Sequence, residues 1–343
     1  MKYNTHTLSE LATIKYGKNQ KAVLSEDGSI PIYGTGGLMG YVTMLLYDKP
    51  SVLIGRKGTI EKVHYVTHPF WTVDTLFYTI INEDIIRPHY LYYLLSMLDL
   101  KQYNEGTTIP SLRTDTLNRI EFNVPDLKAQ DDTLSVLEPI EEKIELNNAI
   151  NKNLEQQAQA IFKEKFPHIL TGMCNDTISS IVTFSNGKKR PVSDGNVPVF
   201  GGNGVLSYTG EANANNCVIV GRVGAYCGNT YLCLGNCWIS DNAIQAKSRT
   251  GESQLFVYYL LKNADLPSRH IGSGQPLMTQ SILNAIPIVH PSEEGVKQFI
   301  EYCTPIHNAI DNNNIENQKL AELRDALLPK LMSGELDVSD MDI

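Results

Sequence analysis

The hydrophobic positions of this chain follow two different periods, which mark two kinds of segment along the sequence. Short apolar runs bounded by Gly, Asn and Asp predict β-strands at 51–54, 75–81 and 218–220. Apolar residues at helical spacing predict helices at 88–100 and 254–266. These elements predict two bodies in which strands and helices are mixed, which is an α+β fold.

A narrow apolar stripe runs through two long and otherwise polar segments, 131–166 and 293–333. At 1.5 Å per residue, a helix of about 36 residues is roughly 50 Å long and needs a partner along its length. The pattern predicts that the two helices pair as an antiparallel coiled coil, with a solvated polar stretch as the alternative. The residues expected at the helix contact are Ile140, Ile144, Leu154, Ile161, Ile306, Ile310, Leu320 and Leu327, and the stripe also includes Leu137, Ile150, Leu323 and Leu331.

Proline and asparagine interrupt both long segments at equivalent places. Pro139 and Pro305 each predict either a kink or the point where the helix begins. Asparagines break the apolar stripe midway, at 147–148 and at 312–314. A buried asparagine between paired helices fixes their register at some cost in stability. The middle of the helix pair is therefore expected to be polar.

The sequence is a tandem repeat. When it is aligned with itself, 52–58 falls on 218–224 and 92–95 falls on 258–261 at one constant shift, and further upstream a slightly longer shift places 30–34 on 197–201. Chance does not hold such a register over so long a stretch, and a repeat of this length decides the fold. The repeat predicts a body and a long helix, each occurring twice, in the consecutive segments 1–128, 129–166, 167–291 and 292–343.

The acidic residues are concentrated in the two helical segments. The chain has 343 residues with 29 Lys and Arg against 38 Asp and Glu, so its net charge is −9. The bodies carry 13 basic and 13 acidic groups in 1–128, and 8 and 6 in 167–291. The helical segments carry 4 and 8 in 129–166, and 4 and 11 in 292–343. The negative total therefore does not exclude a nucleic-acid partner for the bodies, and the helices are expected to face something else.

The six cysteines all lie in the second half of the chain and form no C-x-x-C pair, so we expect reduced thiols and no metal. A zinc site built from Cys227, Cys233 and Cys237 is the alternative, but their spacing is not typical of zinc ligands. No apolar run approaches the roughly 20 residues of a membrane helix. The N-terminus has no export signal, so a soluble cytoplasmic protein is expected.

Signatures of an active site are missing from the sequence. It contains no G-x-x-x-x-G-K-[ST], H-E-x-x-H or G-x-S-x-G motif, and no Pro-Pro pair of the kind found in amino-methyltransferase loops. The glycines at 34–37 are similar to part of a nucleotide-binding loop, but a tight hairpin turn also explains them. Asp74 and Asp241 are equivalent carboxylates without a recurring second acid or base, which favours a structural role.

Basic and polar residues on glycine-rich loops are the remaining candidates for function. Arg56 and Arg222 each lie in a Gly-x-x-Gly turn from which a guanidinium could reach a phosphate or a guanine edge, although a solvated loop arginine is the alternative. Loops at 106–112 and 272–278 offer hydroxyl and amide groups, or are simply structured turns. The candidate DNA-binding residues are Lys18, Tyr33, Arg56, Lys57, Thr107, Thr108, Arg113, Lys188, Lys189, Arg190, Asn203, Arg222, Ser273 and Gln275.

Taken together, G-R-x-G, Y-Y-L-L and G-x-x-x-P-x-L followed by a proline and a long helix, all occurring twice, resemble the specificity subunit of type I restriction-modification systems. The resemblance covers nearly the whole chain. It is carried most specifically by 54–58 with 220–224, by 92–95 with 258–261 and by 106–112 with 272–278. The compact bodies also suit the small specificity subunits of type IIB systems.

The resemblance implies that 1–128 and 167–291 are target recognition domains, each of which reads one half of a bipartite DNA site. It implies that 129–166 and 292–343 are spacer helices on which modification (methyltransferase) subunits dock, with a restriction subunit as a further partner. Catalysis and S-adenosylmethionine would then belong to the methyltransferase, and this chain would bind no cofactor or membrane. A protein-binding scaffold without a DNA role and an enzyme with its own nuclease or methyltransferase centre are the alternatives.

Overall fold

The strands and helices of the first repeat alternate along the chain in the order that the apolar pattern indicates. The computed structural model describes residues 3–21, 23–25, 27–249, 254–272 and 274–338. The elements of the first repeat are β1 (Tyr3–Thr7), α1 (Leu8–Leu11), β2 (Ala12–Tyr16), β3 (Ile30–Gly34), β4 (Gly37–Val42), β5 (Ser51–Gly55), β6 (Val63–Val66), β7 (Trp71–Thr72), β8 (Leu76–Ile81), α2 (Pro88–Ser96), α3 (Thr114–Leu117), β9 (Glu121–Pro125) and the long helix α4 (Leu127–Lys165).

The second repeat has a similar order of elements, and both repeats mix strands and helices, so the predicted α+β class is confirmed. Its elements are β10 (Asp176–Thr177), β11 (Val182–Asn186), β12 (Val197–Gly201), β13 (Gly204–Thr209), β14 (Ala214–Gly221), β15 (Thr230–Ile239), β16 (Ala243–Ser248), α5 (Gln254–Asn263), α6 (Gln280–Asn284), β17 (Pro287–Ile288) and the long helix α7 (Glu293–Ser333).

Two of the predicted helices are shorter than the apolar pattern indicates. Helix α2 ends at Ser96, and a 3₁₀ turn follows in which the Asp99 carboxylate accepts a hydrogen bond from the Lys101 amide at 3.2 Å. Helix α5 ends at Asn263, and Asp265 has a left-handed backbone with φ of +46°. Aspartate favours such caps and turns because its side chain bonds to nearby backbone, so the helical spacing of the later residues does not prolong the helix.

The chain divides into two compact units, and each long helix contributes to both. Unit 1 consists of Met1–Leu146 and Glu316–Ile343, and unit 2 consists of Asn147–Ile315. The division therefore runs through the middle of α4 and α7, whereas the sequence repeat divides the chain at the start and end of each helix. The boundaries at 128, 166 and 291 between bodies and spacer helices stay a prediction.

The strands of the two units are connected into sheets in different ways. In unit 2 one sheet has the order β11-β16-β14-β15-β12-β13. In unit 1 the equivalent strands lie in separate sheets, with the orders β2-β8-β5-β6 and β4-β3-β7. The reason is local: the long strand β15 corresponds to β6 and β7, and these are interrupted by a loop that contains Pro69, which cannot donate to a strand ladder.

The two long helices pair in antiparallel fashion within each unit, as predicted. In unit 1, Lys143 of α4 lies 3.3 Å from Glu316 of α7. In unit 2, the Asn151 amide donates to Asn314 at 3.0 Å, and Lys165 donates to Gln298 at 3.1 Å. As the residue number rises along α4, its partner on α7 has a lower number, which defines the antiparallel direction.

All eight predicted contact residues are buried or half-buried, but two further residues of the stripe are exposed. Ile140 is buried, and the half-buried positions are Ile144, Leu154, Ile161, Ile306, Ile310, Leu320 and Leu327. Ile150 and Leu323 are 41% and 48% exposed, so their assignment to the stripe was wrong. Asn147 is buried and Asn151 bonds to Asn313 and Asn314, so at this level asparagines occupy the contact positions.

Both long helices begin well before their internal prolines, so the alternative that Pro139 and Pro305 mark the helix starts was wrong. The Asp126 carboxylate accepts a hydrogen bond from the Ala129 amide at 2.9 Å, and the Ser292 hydroxyl accepts one from the Gly295 amide at 3.2 Å. These two residues hold equivalent places in the repeat and act as helix N-caps. Within the described part of the chain, no helix is long and apolar enough to span a bilayer.

Candidate nucleic-acid interface

In unit 1 the Gly-Arg-x-Gly turn and the loop at 106–112 are joined by backbone hydrogen bonds. The Gly58 amide donates to the Pro110 carbonyl at 2.9 Å, and the Leu112 amide donates to the Arg56 carbonyl at 2.9 Å. Gly58 has φ of +88°, a conformation that favours glycine. The two loops that the sequence singled out therefore form one surface feature, which we call the loop junction of unit 1.

Unit 2 builds the same junction from the equivalent residues. The Gly224 amide donates to the Pro276 carbonyl at 3.0 Å, and the Met278 amide donates to the Arg222 carbonyl at 2.8 Å. Gly224 has φ of +76°. Each of these residues aligns with its counterpart in unit 1 in the sequence repeat, so the loop junction of unit 2 is a second copy of the same structure.

The arginine of each junction donates a hydrogen bond to the backbone carbonyl of an aspartate that lies shortly after a tryptophan in the sequence. Arg56 donates from Nη1 to the Asp74 carbonyl at 2.7 Å, and its guanidinium lies 5.1 Å from the centre of the Tyr16 ring. Arg222 donates from Nη1 to the Asp241 carbonyl at 3.2 Å. Both arginines are half-buried. Since a guanidinium has five N–H donors, these bonds orient each side chain and leave it donors for a ligand.

A glycine and a lysine sit beside each tryptophan. The Lys18 amide donates to the Thr72 carbonyl at 2.9 Å, and Trp71 Nε1 donates to the Lys18 carbonyl at 3.2 Å. In unit 2 the Lys188 carbonyl accepts from Trp238 Nε1 at 3.3 Å in the same way. A side chain on Gly17 would place its Cβ 2.0 Å from the Val73 carbonyl oxygen. The glycine is therefore required for the close approach that fixes the exposed lysine.

The other predicted DNA-binding residues lie in several different environments. Arg113 is paired with Glu105 at 3.1 Å, and Tyr33 shares a hydrogen bond of 3.0 Å with His68 Nε2. Burial of the side chain is the main cause that raises the pKa of Tyr33. Ser273 lies outside the described residues. The exposed members of the set are Lys18, Lys57, Thr107, Thr108, Arg113, Lys188, Lys189, Arg190, Asn203 and Gln275.

The structure thus brings Arg56 and Lys57 together with the loop of Thr107 and Thr108, and Arg222 with the loop of Gln275. Arg113 forms an ion pair with Glu105 and Tyr33 a hydrogen bond with His68, and these contacts limit the freedom of both side chains to bind DNA. Which of these residues contacts DNA stays a prediction. Sequence reasoning missed the exposed apolar strands β4 and β13, although the repeat alignment pairs Tyr41 with Tyr208 and could have revealed them.

The cysteines are arranged differently from the zinc site that was considered as an alternative. Cys227 belongs to the core beneath α5, whereas Cys233 and Cys237 belong to another cluster together with Cys217. The Cys217 and Cys237 sulfurs lie 3.8 Å apart. A hydrogen bond with Cys237 is the main cause that lowers the pKa of Cys233 to about 7. Within the described residues, no group of three or more His, Cys, Asp or Glu could hold a metal ion.

Histidines lie where each body meets the long helices. In unit 1 His89 of α2 has both ring nitrogens 2.9 Å from carboxylates of α4, Nδ1 from Glu138 and Nε2 from Glu141. Its ring is stacked between Tyr65 and Tyr93, with centroid distances of 4.5 and 4.6 Å. Hydrogen bonds from both ring nitrogens to carboxylates require both nitrogens to be donors, and this is the case only in the protonated imidazole.

The equivalent contact of unit 2 has different chemistry. His307 of α7 is buried, and its Nε2 shares a hydrogen bond of 2.9 Å with the Tyr259 hydroxyl of α5. Next to it, Glu155 of α4 binds the Tyr258 hydroxyl and the Lys262 ammonium. In the repeat alignment, His307 corresponds to Glu141. We call these two contacts the histidine contacts of unit 1 and unit 2.

Both the sequence and the fold are similar to those of known proteins. The model of the type I restriction modification DNA specificity domain matches residues 1–156. The HindI specificity subunit of Haemophilus influenzae is 35% identical over 91 residues, which are 25% of this chain and 20% of that protein. The MjaIX specificity subunit of Methanocaldococcus jannaschii is 22% identical over 348 residues, which cover 87% of this chain and 80% of that protein.

The fold is also similar to a solved structure. The S subunit of a type I restriction-modification system from M. genitalium superposes with a TM-score of 0.59 over 96% of both chains, at 17% identity. The similarity extends over both repeats, although the family model matches only the first. Since the second repeat has the same loop junction, the features matched in the first have structural equivalents there.

Proposed function

We propose that the chain is the specificity subunit of a restriction-modification complex and selects the DNA sites at which that complex acts. The observation that carries the proposal is the loop junction, which is built twice from equivalent backbone hydrogen bonds. Two similar but unequal surfaces suit a bipartite and asymmetric DNA site. Each unit would then read one half of that site.

The basic residues at and near each junction fall into two groups, one suited to affinity for the duplex and one suited to sequence specificity. Lysines make phosphate contacts that position a protein on the duplex, whereas base edges in the major groove specify sequence. Lys18 and the run 188–190 are exposed and suit phosphate contacts. Arg56 and Arg222, oriented by backbone carbonyls, suit a bidentate contact with guanine. The half-sites would differ because the loops at 106–112 and 272–278 differ in sequence.

We further propose that the chain itself is non-catalytic and acts in the cytoplasm. A modification subunit would supply methyl transfer to the base together with S-adenosylmethionine, and it would dock on α4 and α7. The acidic charge of these helices supports this, because it would repel DNA phosphates and attract a basic protein surface. A restriction subunit would join the same complex, and the system would be of type I or of the related type IIB.

The salt dependence of DNA binding tests the proposal. The full chain is mixed with random-sequence duplex at about 50 mM and about 200 mM salt, and binding is measured by fluorescence anisotropy. We expect affinity to fall steeply as salt rises, because bound lysines and arginines release counterions. A chain that binds no DNA at either salt concentration, alone or with its modification subunits, would instead be a protein scaffold. Sequencing of methylated sites in cells would then give both half-sites.

A further inference from the structure

Each unit has a hairpin whose outer strand, at the edge of the sheet, exposes apolar side chains. In unit 1 the hairpin consists of β3 and β4, and in unit 2 it consists of β12 and β13. Large apolar side chains on β4 and β13 are between 45% and 62% exposed, and they match in pairs in the repeat alignment. These side chains are Leu38 with Val205, Met39 with Leu206 and Tyr41 with Tyr208.

The repeated features of the hairpins hold these side chains in a defined arrangement. A Cβ on Gly34 would lie 2.3 Å from Met39 Sδ, and a Cβ on Gly201 would lie 2.4 Å from Leu206 Cδ1. Met39 and Leu206 therefore each rest on a glycine of the neighbouring strand. Each tyrosine lies opposite a proline in the strand register, Tyr41 opposite Pro31 and Tyr208 opposite Pro198. Exposed apolar groups arranged in the same way twice are typical of a binding surface.

The charge beside β13 indicates what this strand binds. Arg190 donates from Nη1 to the Ser207 hydroxyl at 3.2 Å, and Ser207 lies between Leu206 and Tyr208 on β13. Lys188 and Lys189 are exposed just before it. The partner must therefore offer negative charge and apolar groups at the same place. Double-stranded DNA does so, because thymine methyl groups and base edges lie in a groove between two rows of phosphates.

The hairpin of unit 2 is also continuous with its loop junction. A Cβ on Gly202, in the turn between β12 and β13, would lie 3.6 Å from the Tyr226 side chain, which follows the Gly-Arg-x-Gly turn. The Tyr231 hydroxyl donates to the Gly202 carbonyl at 3.3 Å. The apolar strand and Arg222 thus belong to one surface.

We propose that the outer faces of both hairpins contact DNA and read thymine methyl groups by apolar contact. The proposal rests on the DNA-binding function proposed above and adds a second element to each unit's recognition surface. Arginine would read guanine at the loop junction, and the hairpin would read A·T pairs beside it. Tyr41 and Tyr208 are the residues from which we expect the largest contribution, because tyrosine combines a large contact area with few rotatable bonds.

Site-specific photo-crosslinking tests where the hairpins lie. Tyr41 or Tyr208 is replaced by p-benzoylphenylalanine in the full chain, which is assembled with its modification subunits on random-sequence duplex and irradiated. Tyr302 is the matched control, since it is 60% exposed on α7 whereas Tyr208 is 62% exposed. Adducts with DNA at 41 and 208 but not at 302 are expected. Adducts with a modification subunit or a second copy of the chain, or equal DNA adducts at 302, would overturn the proposal.

Binding measurements separate the hairpin proposal from the proposed function. Tyr208→Ser should weaken binding to the methylation site at least about fivefold, whereas Met173→Ser should leave it unchanged, because Met173 is 96% exposed and lies outside the hairpins, the loop junctions and the long helices. Replacing thymine by uracil in that site should weaken DNA binding by the wild-type chain. It should cause no further loss of binding by the Tyr208→Ser variant. If the chain binds DNA and Tyr208→Ser binds equally well, the hairpin proposal fails alone. If no variant and no wild-type complex binds DNA, the proposed function fails as well.

Discussion

The histidine contacts of unit 1 and unit 2 join similar bodies to the same pair of helices, but the histidine is charged in unit 1 and neutral in unit 2. Burial disfavours the charged form of His89, yet hydrogen bonds with Glu141 and Glu138 outweigh burial and raise its pKa. For His307 burial dominates and lowers the pKa, so this ring is neutral at pH 7. An ion pair in one unit is therefore replaced by a neutral hydrogen bond and aromatic packing in the other.

The comparison teaches that the repeat preserves geometry more strictly than chemistry. Tyr93 and Tyr259 hold equivalent places and both are buried, but one faces Glu141 and the other His307. Burying a charge is tolerated only when it is paired, so each unit can change its chemistry only if both partners change together. The loop junctions behave differently, because their bonds are made by backbone atoms and persist whatever the side chains are.

The largest expected effect concerns the aromatic packing that unit 2 has in place of the ion pair. The ring centroid of Phe162 on α4 lies 5.1 Å from that of Phe166 and 5.4 Å from that of Phe299, and Phe162 is 1% exposed. Phe162→Ala should lower the free energy of unfolding of unit 2 by about 3–5 kcal/mol. The equivalent Leu328→Ala should cost unit 1 only about 1–2 kcal/mol, because Leu328 is half-buried.

Each unit has its own tryptophan, which makes the two effects separable. Trp71 lies in unit 1 and Trp238 in unit 2. Chemical denaturation of the Trp71→Phe and Trp238→Phe backgrounds, followed by fluorescence, assigns each transition to a unit. Equal losses from Phe162→Ala and Leu328→Ala would contradict the stated difference in packing.

The next largest effect comes from removing the histidine of unit 1. His89→Ala should destabilise unit 1 by about 2–3 kcal/mol, because it leaves Glu138 close to Glu141 without a cation and leaves Glu141 with only Arg324, 3.7 Å away. The measurement is denaturation followed by Trp71 fluorescence. His6→Ala is the control, since His6 pairs with Glu10 at 3.2 Å near the surface and should contribute at most about 0.5 kcal/mol. Similar losses in both variants would mean that the half-buried ion pair of His89 has no special role.

The loop arginines should affect recognition without affecting stability. Arg56→Ala and Arg222→Ala should each weaken one half-site only, by roughly 1–3 kcal/mol if the guanidinium contacts guanine. Arg113→Ala is the control, because Arg113 is paired with Glu105 and should have a smaller effect. Competition binding with duplexes mutated in one half-site provides the measurement. A uniform loss with every DNA sequence would make these arginines phosphate anchors instead.

The smallest expected effect is the response of the two units to pH. The pKa of His89 is raised on folding, so its stabilising contribution is complete below the unfolded pKa and is lost as pH rises through the folded pKa. The pKa of His307 is lowered, so its contribution is complete above the unfolded pKa and is lost as pH falls through the folded pKa. Denaturation at several pH values between about 5 and 8 should show opposite trends for Trp71 and Trp238. Parallel trends would contradict the contrast.

Sequence periodicity predicted the elements well wherever the signal was long. The segment 293–333 was predicted as a helix and forms Glu293–Ser333, because its apolar stripe extends over many turns. Helix α4 begins at Leu127 rather than at 131, since Asp126 caps it, and a capping residue was readable at that place. The loop junction was predicted in part, because glycine and proline mark its turns, but the hydrogen bonds that join its two loops were not.

Other features depend on contacts that no local pattern encodes. His89 lies far along the chain from Glu138 and Glu141, and its identity is not repeated in the second half, where Leu255 holds the equivalent place. The separation of the sheets in unit 1 depends on the loop at 67–70, which the strand pattern did not reveal. The apolar sequences of strands β4 and β13 predict burial. The structure leaves these side chains exposed, so periodicity alone gives the wrong prediction for them.

The loop that contains Pro69 has a consequence for how this protein can acquire new specificities. In unit 2 the hairpin is continuous through β15 with the central strand β14, so any shift in its register would be transmitted to the core. In unit 1 the hairpin pairs with the short strand β7, and the interruption at 67–70 can absorb such a shift. Natural variants should therefore accumulate insertions and altered reading preferences faster in the first hairpin than in the second.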